Sequence, residues 1–394
     1  MSPSRPLDAQ VPLYIREIEA YKPGRPIEEV ERELGVRAIK LASNENPLGP
    51  SPLAVEAAQR AAGDSNWYPD GSGYYLRHKL AGRLGVDVDR LILGAGSCEL
   101  IDLAARTLLS HGDRAVTSEN SFPLYSTAIR ATGAHLKLVP LRDFAFDLDA
   151  IAGAVDHHTK LVFLANPNNP TGTMFTADAF ETFLLRIPEH ALVVMDEAYF
   201  EYADRPGYSR SLDLVRAGHT LLVLRTFSKV YGLAGMRIGY AAGPSDLLAQ
   251  FHKVRQPFNV SNVALAAAHA ALDDAAHVSR SLDNNRRGVA QIEAGLRAQG
   301  FEFVPSVANF VLVHIGPGAN HVAHAMLSLG VIVRPMAWMG FPEAIRVSVG
   351  TQEENEKFLR ALAEARALVA ADAQGETKPS GVRGKDQAVQ QEIP

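Results

Sequence analysis

Residues 221–239 read LLVLRTFSKVYGLAGMRIG, an apolar run followed at once by hydroxyls, a lysine, glycines and an arginine. The apolar run predicts a buried β-strand, which places Lys229 just beyond its carboxyl end, where open α/β sheets bind ligands. Thr226 and Ser228 flank the lysine, and Arg237 follows eight residues later. The stretch therefore predicts a phosphate-binding turn around an amine that could form a Schiff base, although a surface lysine and a structural arginine explain it about equally well.

Short β-rich runs alternate with helical windows on both sides of this strand. The predicted strands are 91–93, 115–118, 136–139, 161–165, 192–195, 221–224 and 238–241. The helical windows between them include 99–109, 122–131 and 177–185. Such alternation is typical of βαβ units and predicts an α/β domain with a largely parallel sheet.

The pattern changes after residue 243, where longer helices are predicted at 245–255, 264–272 and 278–299. Two short strands at 310–313 and 345–349 then bracket a helix at 321–329, which predicts a second, smaller α+β lobe. The tail from residue 371 has almost no large apolar residues and is expected to be disordered. We divide the chain into an irregular N-terminal arm (1–45), a large domain (46–275), a small C-terminal domain (276–370) and the tail (371–394).

Composition limits the classes of function. The 394 residues exceed the ~250–300 at which a single hydrophobic core stops growing, in agreement with two lobes. The formal charge of −5 argues against nucleic-acid binding, and the single Cys98 cannot close an intramolecular disulfide. The start, MSPSRPLDAQ, lacks a signal-peptide core, and the most apolar stretch, 263–272, is half as long as a membrane span. We expect a cytoplasmic protein with neither nucleic acid nor membrane as partner.

Two further strand ends carry polar groups. Residues 166–172, NPNNPTG, present amides, among them that of Asn169, although turn chemistry alone explains the prolines and the glycine. Asp196 closes the apolar run LVVM, and its partly buried carboxylate is costly unless it faces a cation. A protonated ring nitrogen would supply that cation, and Tyr199 could then donate a hydrogen bond to an oxygen of the same ring.

A fourth strand end, LGAGSCE at 93–99, combines a strand, a glycine turn and a helix start. Helix N-termini bind phosphate through free N–H groups, but this pattern is weak by itself. Phe122 follows the strand that ends at residue 118 and could stack on a ring for ~0.5–1.5 kcal/mol, although a lone phenylalanine more often belongs to the core. The thirteen histidines form no recognisable ligand set, so no metal site is predicted.

Together these strand ends resemble those of the fold-type-I, pyridoxal-phosphate-dependent aminotransferases, and the resemblance extends from about residue 21 to 368. It implies a large domain with a mostly parallel seven-stranded sheet and a smaller α+β domain. It also implies three catalytic residues: Lys229, Asp196 and Tyr199. Lys229 would be the Schiff-base lysine, and Asp196 would pair with the pyridinium nitrogen. Tyr199 would bind the phenolate oxygen together with Asn169. The implied phosphate ligands are Thr226, Ser228, Arg237 and the backbone amides of Ala95 and Gly96 or Ser97, while Phe122 would stack on the ring.

Within that superfamily, five stretches resemble the histidinol-phosphate aminotransferase family: YKPG (21–24), LASNENPLGP (41–50), YPD (68–70), ANFV (308–311) and VRP (333–335). The resemblance implies a homodimer with shared active sites, in which Tyr21 and Tyr68 reach the partner's site, Tyr68 near the cofactor phosphate. Arg334 and Arg346, helped by Tyr21 and Asn44, would bind the anionic groups of the substrates. The implied reaction converts L-histidinol phosphate and 2-oxoglutarate to imidazole acetol phosphate and L-glutamate, in L-histidine biosynthesis.

Three alternatives remain open at this stage. An aromatic-amino-acid aminotransferase for phenylalanine or tyrosine shares the scaffold and differs in few pocket residues. Decarboxylation or elimination of threonine phosphate is a more distant reaction of the same superfamily. A cofactor-binding regulatory module is disfavoured, because we expect no room for an added DNA-binding domain at either end of the chain.

Overall fold

The structure is a computed structural model that describes residues 7–21 and 24–373. Its α-helices, α1 to α14 in chain order, span Leu13–Arg16, Ile27–Leu34, Pro52–Ala62, Tyr74–Leu84, Ser97–Leu108, Leu124–Ala131, Leu148–Ala154, Ala177–Leu184, Ser211–Arg216, Ser245–Val254, Asn262–Ala271, Ala275–Ala298, Ala319–Ser328 and Gln352–Ala373. Its strands, β1 to β13, span Ile39–Lys40, Leu91–Gly94, Arg114–Ser118, His135–Val139, Thr159–Ala165, Leu192–Asp196, Leu221–Thr226, Gly239–Ala242, Glu302–Val304, Phe310–His314, Val331–Ile332, Arg334–Pro335 and Ala344–Ser348. Short 3₁₀ helices span Leu7–Gln10, Val88–Arg90, Phe200–Tyr202, Ala234–Met236 and Ala337–Met339.

The main sheet is seven-stranded within the described residues and has the order β2–β8–β7–β6–β5–β3–β4. Its neighbouring strands are parallel except β8, which runs antiparallel to both β2 and β7. Strand β6 is buried along its whole length and β5 along nearly all of it, as expected for a sheet covered by helices on both faces. All seven strands predicted from the sequence lie in this sheet, and the expectation of a mostly parallel α/β domain is confirmed.

The register of the sheet brings the functional strand ends together. Asp196 ends β6 opposite Leu224 of β7, and Thr226 ends β7 opposite Gly239 of β8. Gly239 in turn faces Gly94, the last residue of β2. The carboxyl ends of β2, β6 and β7 therefore meet at one edge of the sheet.

The smaller lobe contains an antiparallel sheet with the order β12–β13–β10–β9. The long helices α12 and α14 and the shorter α13 pack on it around a core that includes Ile292, Val347 and Phe358. The expected α+β lobe is present. Its strand β12 carries Arg334 and its strand β13 carries Arg346, so this lobe supplies cations to the site described below.

The expectation of an irregular arm over residues 1–45 is wrong for its second half. Residues 27–34 form α2, whose Val30 is buried, and β1 pairs in parallel with β11 of the smaller lobe. Leu41 belongs to that lobe's core. The pattern is invisible locally, because the partner strand begins at Val331, almost three hundred residues later.

At the other end, α14 continues to Ala373, three residues into the predicted tail, and the remaining tail residues lie outside the described part of the chain. In the described residues, no helix combines the length and the apolar character needed to cross a membrane.

Candidate active site

A pocket opens at the carboxyl ends of the main sheet and is lined by residues of both lobes. It brings together most of the side chains predicted from the sequence: Tyr21, Asn44, Ser97, Phe122, Asn169, Asp196, Tyr199, Thr226, Ser228, Lys229, Arg237, Arg334 and Arg346. The predicted residues Ala95, Gly96 and Tyr68 do not line it. Segments far apart in the chain therefore meet at one concave site.

Asp196 lies at the bottom of the pocket and is almost fully buried. Tyr125 on α6 donates its hydroxyl proton to Asp196 Oδ2 at 2.8 Å, and the backbone N–H of Ala198 donates to Oδ1 at 3.1 Å. Burial raises the pKa of Asp196 to about 6 despite these two hydrogen bonds. A cation placed beside this carboxyl group would favour its charged form.

Lys229 reaches into the same pocket from the turn after β7. Its Nζ donates to the carbonyl oxygen of Ser43 at 3.5 Å and lies 5.5 Å from the centre of the Tyr199 ring. No carboxylate of the described residues forms an ion pair with this amine in the structure. The amine is thus held weakly beside an aromatic wall, where it is available to a ligand.

The predicted phosphate-binding side chains form a cup beside Lys229. Thr226 Oγ1 donates to Ser228 Oγ at 2.9 Å, and Arg237 Nη1 donates to the same Ser228 oxygen at 3.4 Å. Gly96 closes the cup, with a positive φ of 78°. A Cβ at residue 96 would lie 2.6 Å from Arg237 Nη2, so the glycine leaves the room that the guanidinium occupies.

The backbone amides predicted to complete this cup are differently engaged. The Ala95 N–H donates to Glu99 Oε2 at 2.6 Å, and the Gly96 N–H donates to the Gly94 carbonyl at 2.8 Å. Glu99 lies in the first turn of α5 and reaches back to the residue before the Gly96 cap, as in a capping box. Ser97, the first residue of α5, lines the pocket. The participation of these amides in phosphate binding stays a prediction.

Tyr199 is fixed by the segment that precedes the main sheet. Asn44 Nδ2 donates to the Tyr199 hydroxyl at 2.8 Å, while Ser348 Oγ donates to Asn44 Oδ1 at 3.1 Å. Asn44 has a positive φ of 55° and is buried. Its side-chain amide therefore orients Tyr199 in this structure, and its predicted contact with substrate stays a prediction.

Arg346 is a buried cation held by uncharged groups. Its Nη1 donates to Asn169 Oδ1, its Nη2 donates to the Ala42 carbonyl at 2.9 Å, and its guanidinium lies 5.3 Å from the centre of the Phe310 ring. It forms no ion pair with a carboxylate of the described residues. Burial lowers the pKa of Arg346, as expected for a charge removed from water without a counter-ion.

Arg334 lies opposite Arg346 in the β12–β13 pairing. Residues directly opposite in an antiparallel pair project from the same face of the sheet, and like charges placed there destabilise it. Arg334 also packs against the indole of Trp338, 4.7 Å from the ring centre, and Tyr21 meets the same ring edge-on at 5.7 Å. This group of Tyr21, Arg334 and Trp338 forms the mouth of the pocket.

Tyr68 lies on the surface, with 82% of its area exposed. Its ring stacks on Phe258 at a centre-to-centre distance of 4.7 Å. Tyr68 therefore does not line the pocket of its own chain, and its role in a partner's site stays a prediction.

A buried ion pair joins the strands behind the site. Arg225 Nε and Nη2 both donate to Glu197 Oε2, at 2.9 and 2.8 Å, and Ser211 Oγ donates to Oε1 at 2.6 Å. The Arg225 guanidinium also covers the Phe200 ring at 3.3 Å. Glu197 directly follows Asp196, and Arg225 directly precedes Thr226. The pair thus links the strand end that carries Asp196 to the strand end that carries Thr226.

Sequence reasoning missed Tyr125, Glu197, Arg225 and Trp338. Tyr125 could have been suspected, because it places a hydroxyl on the apolar face of α6, three residues after Phe122. Glu197 and Arg225 are adjacent to predicted site residues at the ends of apolar runs, and a charge buried there needs an opposite charge beside it. No local sequence pattern indicates Trp338, because its contact with Arg334 exists only in the folded chain.

Known proteins resemble this chain along most of its length. Residues 36–362 match the family model for aminotransferase class I and II. Histidinol-phosphate aminotransferase 1 of Nitrosococcus oceani is 47% identical over 88% of this chain and 94% of its own, and histidinol-phosphate aminotransferase of Moorella thermoacetica is 46% identical over 89% and 91%. Among solved structures, histidinol-phosphate aminotransferase of Sinorhizobium meliloti in complex with pyridoxal-5'-phosphate superposes with a TM-score of 0.83 at 30% identity, covering 92% of this chain and 98% of that one.

Fold and site define a fold-type-I, pyridoxal-phosphate-dependent aminotransferase, and the expected enzyme class and cofactor are confirmed. An aspartate aminotransferase of Thermus thermophilus, 24% identical with a TM-score of 0.78 over 91% of this chain and 99% of its own, shares the fold. The chain belongs to the histidinol-phosphate aminotransferases within aminotransferase class I and II.

The residues present fit the cofactor. The buried Asp196 accepts hydrogen bonds from Tyr125 and Ala198 and forms no ion pair among the described residues. The absence of a Cβ at residue 96 leaves room for the Arg237 guanidinium beside Thr226 and Ser228. A buried carboxylate suits a protonated pyridine nitrogen, and hydroxyls beside a guanidinium suit a phosphate. Within residues 7–21 and 24–373, no group of three or more potential metal-ligating side chains forms a metal site.

Proposed function

We propose that this chain transfers the amino group of L-histidinol phosphate to 2-oxoglutarate, giving imidazole acetol phosphate and L-glutamate, as a step of L-histidine biosynthesis. The observation that carries the substrate assignment is the pair Arg334 and Arg346, which face one another across two strands and both line the pocket. Two adjacent cations at the end of a pocket favour a dianionic ligand group.

The two substrates place their anions differently. Glutamate has two carboxylates, whereas histidinol phosphate has a phosphate and no carboxylate. Arg346, buried beside neutral partners, gains a counter-ion from either substrate. Arg334, at the mouth, would hold the phosphate together with Tyr21. Each hydrogen bond to such a charged group contributes ~1.5–3 kcal/mol.

The residues at the bottom of the pocket would carry the chemistry. Pyridoxal phosphate, when bound, supplies an electron sink for the negative charge on the substrate Cα. Lys229 would hold this group through Nζ, and the same amine, when free, would act as the base that removes the substrate Cα proton. Asp196 would favour a protonated ring nitrogen, and Tyr199 with Asn169 would bind the ring's oxygen. The phosphate would be held by Thr226, Ser228, Arg237 and the amides of Ala95 and Gly96 or Ser97, while Phe122 would stack on the ring.

The working unit would be a homodimer with shared sites. An aromatic surface group of Trp67, Tyr68, Tyr74, Tyr75 and Phe258 is solvent-exposed on the isolated chain. Large exposed apolar groups of this kind mark protein–protein contacts. In a dimer they would be covered, and Tyr68 would reach the cofactor phosphate of the partner. Tyr21, also expected from the resemblance to cross the interface, instead lines the pocket of its own chain, where its ring meets that of Trp338.

The compartment would be the cytoplasm. One cysteine in 394 residues leaves no intramolecular disulfide to form, which suits a reducing environment. The negative charge and the small-molecule pocket suggest neither nucleic acid nor membrane as a partner.

A substrate panel tests the proposed reaction. We expect kcat/KM with 2-oxoglutarate as acceptor to be higher for histidinol phosphate than for histidinol, phenylalanine or tyrosine. The aromatic alternative is favoured by one observation, the aromatic edge that Tyr21 and Trp338 present to the pocket. More efficient use of phenylalanine or tyrosine than of histidinol phosphate would replace our assignment with that alternative.

Subunit complementation tests the shared site. Lys229→Ala and Tyr68→Ala chains are each expected to be inactive as homodimers. Mixed dimers should regain one working site, because one pocket receives both intact residues. Absence of recovered activity after subunit exchange has been verified by mass would contradict the shared site.

A further inference from the structure

Trp338 occupies a fixed position at the mouth of the pocket. It lies in the 3₁₀ helix Ala337–Met339 between β12 and β13, and its indole N–H donates to the Pro335 carbonyl at 3.1 Å. Pro335 is the neighbour of Arg334, so the indole is fastened to the strand that carries the arginine. The ring lines the pocket and is 38% exposed.

The segment that carries this tryptophan is also pinned to the large lobe. Asn120 Nδ2 donates to the Met339 carbonyl at 2.6 Å. Gly340 follows with a positive φ of 82°, and a Cβ there would lie 2.0 Å from Asn120 Nδ2. The close approach therefore requires glycine, and it limits movement of the indole relative to the rest of the pocket.

The indole face is directed to a cation. The Arg334 guanidinium carbon lies 4.7 Å from the ring centre, within the range of a cation–π interaction, and tryptophan is the strongest aromatic partner for such contacts. Tyr21 covers the ring edge-on at 5.7 Å with an interplanar angle of 82°. Burial lowers the pKa of Arg334, which is consistent with water being kept away on this side.

We infer that Trp338 is a positioning residue that aims Arg334 at the phosphate of the substrate and so sets the preference for phosphorylated over unphosphorylated substrates. This inference rests on the proposed function. An arginine held by a fixed ring loses less side-chain entropy when it binds an anion than a free arginine does. Packing against the indole also removes water from the guanidinium, and hydrogen bonds are stronger where the local dielectric constant is low.

Two substitutions separate the ring face from the bulk. Trp338→Leu keeps an apolar side chain but removes the π face, whereas Trp338→Phe keeps a smaller π face and loses the indole N–H. In Trp338→Leu we expect KM for histidinol phosphate to rise about twofold to thirtyfold, the range of a cation–π contact, with a smaller change in kcat. The ratio of kcat/KM for histidinol phosphate to kcat/KM for histidinol should fall in Trp338→Leu. In Trp338→Phe the ratio should stay close to the wild-type value.

A fluorescence titration gives a readout that does not depend on turnover. Trp67 and Trp338 are the two tryptophans of the sequence, so Trp67→Phe leaves Trp338 as the sole indole. Inorganic phosphate added to this holoenzyme should change its tryptophan emission saturably, and chloride at equal ionic strength should not. Adding Arg334→Gln should abolish the response, because the anion then loses its bond to the group beside the indole.

The outcomes separate this inference from the proposed function. If the wild-type enzyme prefers phenylalanine or tyrosine to histidinol phosphate, the proposed function fails whatever Trp338 does. If the wild-type enzyme prefers histidinol phosphate and folded Trp338→Leu keeps the full preference over histidinol, only the role of Trp338 is overturned. An emission that phosphate leaves unchanged, or that changes equally in Arg334→Gln, would overturn it as well.

Discussion

The bottom and the mouth of the pocket are built in opposite ways. At the bottom, Asp196 and the Glu197–Arg225 pair are buried, and hydrogen bonds from neighbouring strands and helices hold them. At the mouth, Tyr21 is 63% exposed and Trp338 is 38% exposed, and ring contacts dominate. Rigid buried groups suit chemistry that is the same for every amino donor, whereas half-exposed arginine and aromatic groups suit the choice between donors.

The largest expected effect comes from Lys229 at the bottom. Lys229→Ala removes both the attachment point and the base, and loss of a general base alone lowers rates ~10²–10⁴-fold. Transamination should therefore become undetectable for all donors alike. Borohydride reduction of the wild-type holoenzyme followed by peptide mapping checks the position of attachment. Lys253→Ala, on the exposed end of α10, is the matched control and should remain active. A pyridoxyl group on any other lysine would refute the assignment.

The next effect is on the free energy of unfolding, through the buried Glu197–Arg225 pair at the bottom of the pocket. Glu197→Gln leaves Arg225 buried without its counter-ion, and breaking a buried pair in this way costs about 3–5 kcal/mol. We expect urea unfolding of the cofactor-free protein to show a loss of this size. Glu56→Gln breaks the exposed Glu56–Arg60 pair and should change the free energy of unfolding by less than about 1 kcal/mol. Equal effects of the two substitutions would contradict the structural role of the buried pair.

A third effect is the pH dependence that Asp196 imposes on the cofactor-free protein. Burial raises the pKa of Asp196 from 3.8 to about 6, so the folded state holds a proton that the unfolded chain has already released between these values. The free energy of unfolding should therefore fall as pH rises from about 4 to 6. The total fall should be about 3 kcal/mol, because each unit of pKa shift corresponds to about 1.4 kcal/mol.

Asp196→Asn should lack this fall, so the difference in unfolding free energy between the two proteins should change with pH. Urea unfolding at several pH values across this interval measures it. A constant difference would show that the carboxyl is not desolvated. Bound cofactor should weaken the pH dependence, because a positive ring nitrogen lowers the pKa of the carboxyl.

The smallest effect is expected at the rim of the mouth. Tyr21→Leu removes the edge contact with Trp338, and such aromatic pairs contribute ~0.5–1.5 kcal/mol. KM for histidinol phosphate should rise about twofold to tenfold. Tyr21→Phe keeps the ring, and it should lose only what the hydroxyl contributes. If Tyr21→Phe and Tyr21→Leu are equally impaired, the hydroxyl and not the ring contact is what matters.

The two regions also differ in how well the sequence predicts them. The strand ends at Asp196 and Lys229 follow from local patterns, since a buried apolar run that stops at a polar residue marks the edge of a sheet. The mouth depends on pairings between distant segments. β1 pairs with β11 and Arg334 faces Arg346, and neither relation leaves a local signal. The family resemblance implied both arginines, but their opposition across two strands required the structure.

Local patterns do not say which partner a polar group takes. The glycine turn at 93–99 predicts amides for a phosphate, and in this structure the Ala95 N–H donates to Glu99 Oε2. Asn44, predicted to help bind substrate, similarly donates its side-chain amide to the Tyr199 hydroxyl. Composition and spacing identify which residues surround a ligand, while hydrogen-bond partners decide what each of them does.

The division of labour between bottom and mouth is tested most directly by one ratio, kcat/KM for histidinol phosphate over kcat/KM for histidinol. It should be measured in the wild-type enzyme, in Asp196→Asn and in Arg334→Gln. We predict that Asp196→Asn lowers both rates and leaves the ratio near the wild-type value, whereas Arg334→Gln lowers the ratio at least tenfold, as expected for the loss of ~1.5–3 kcal/mol of charged hydrogen bonding to phosphate. A ratio that Arg334→Gln leaves unchanged, or that Asp196→Asn lowers as much, would contradict this account.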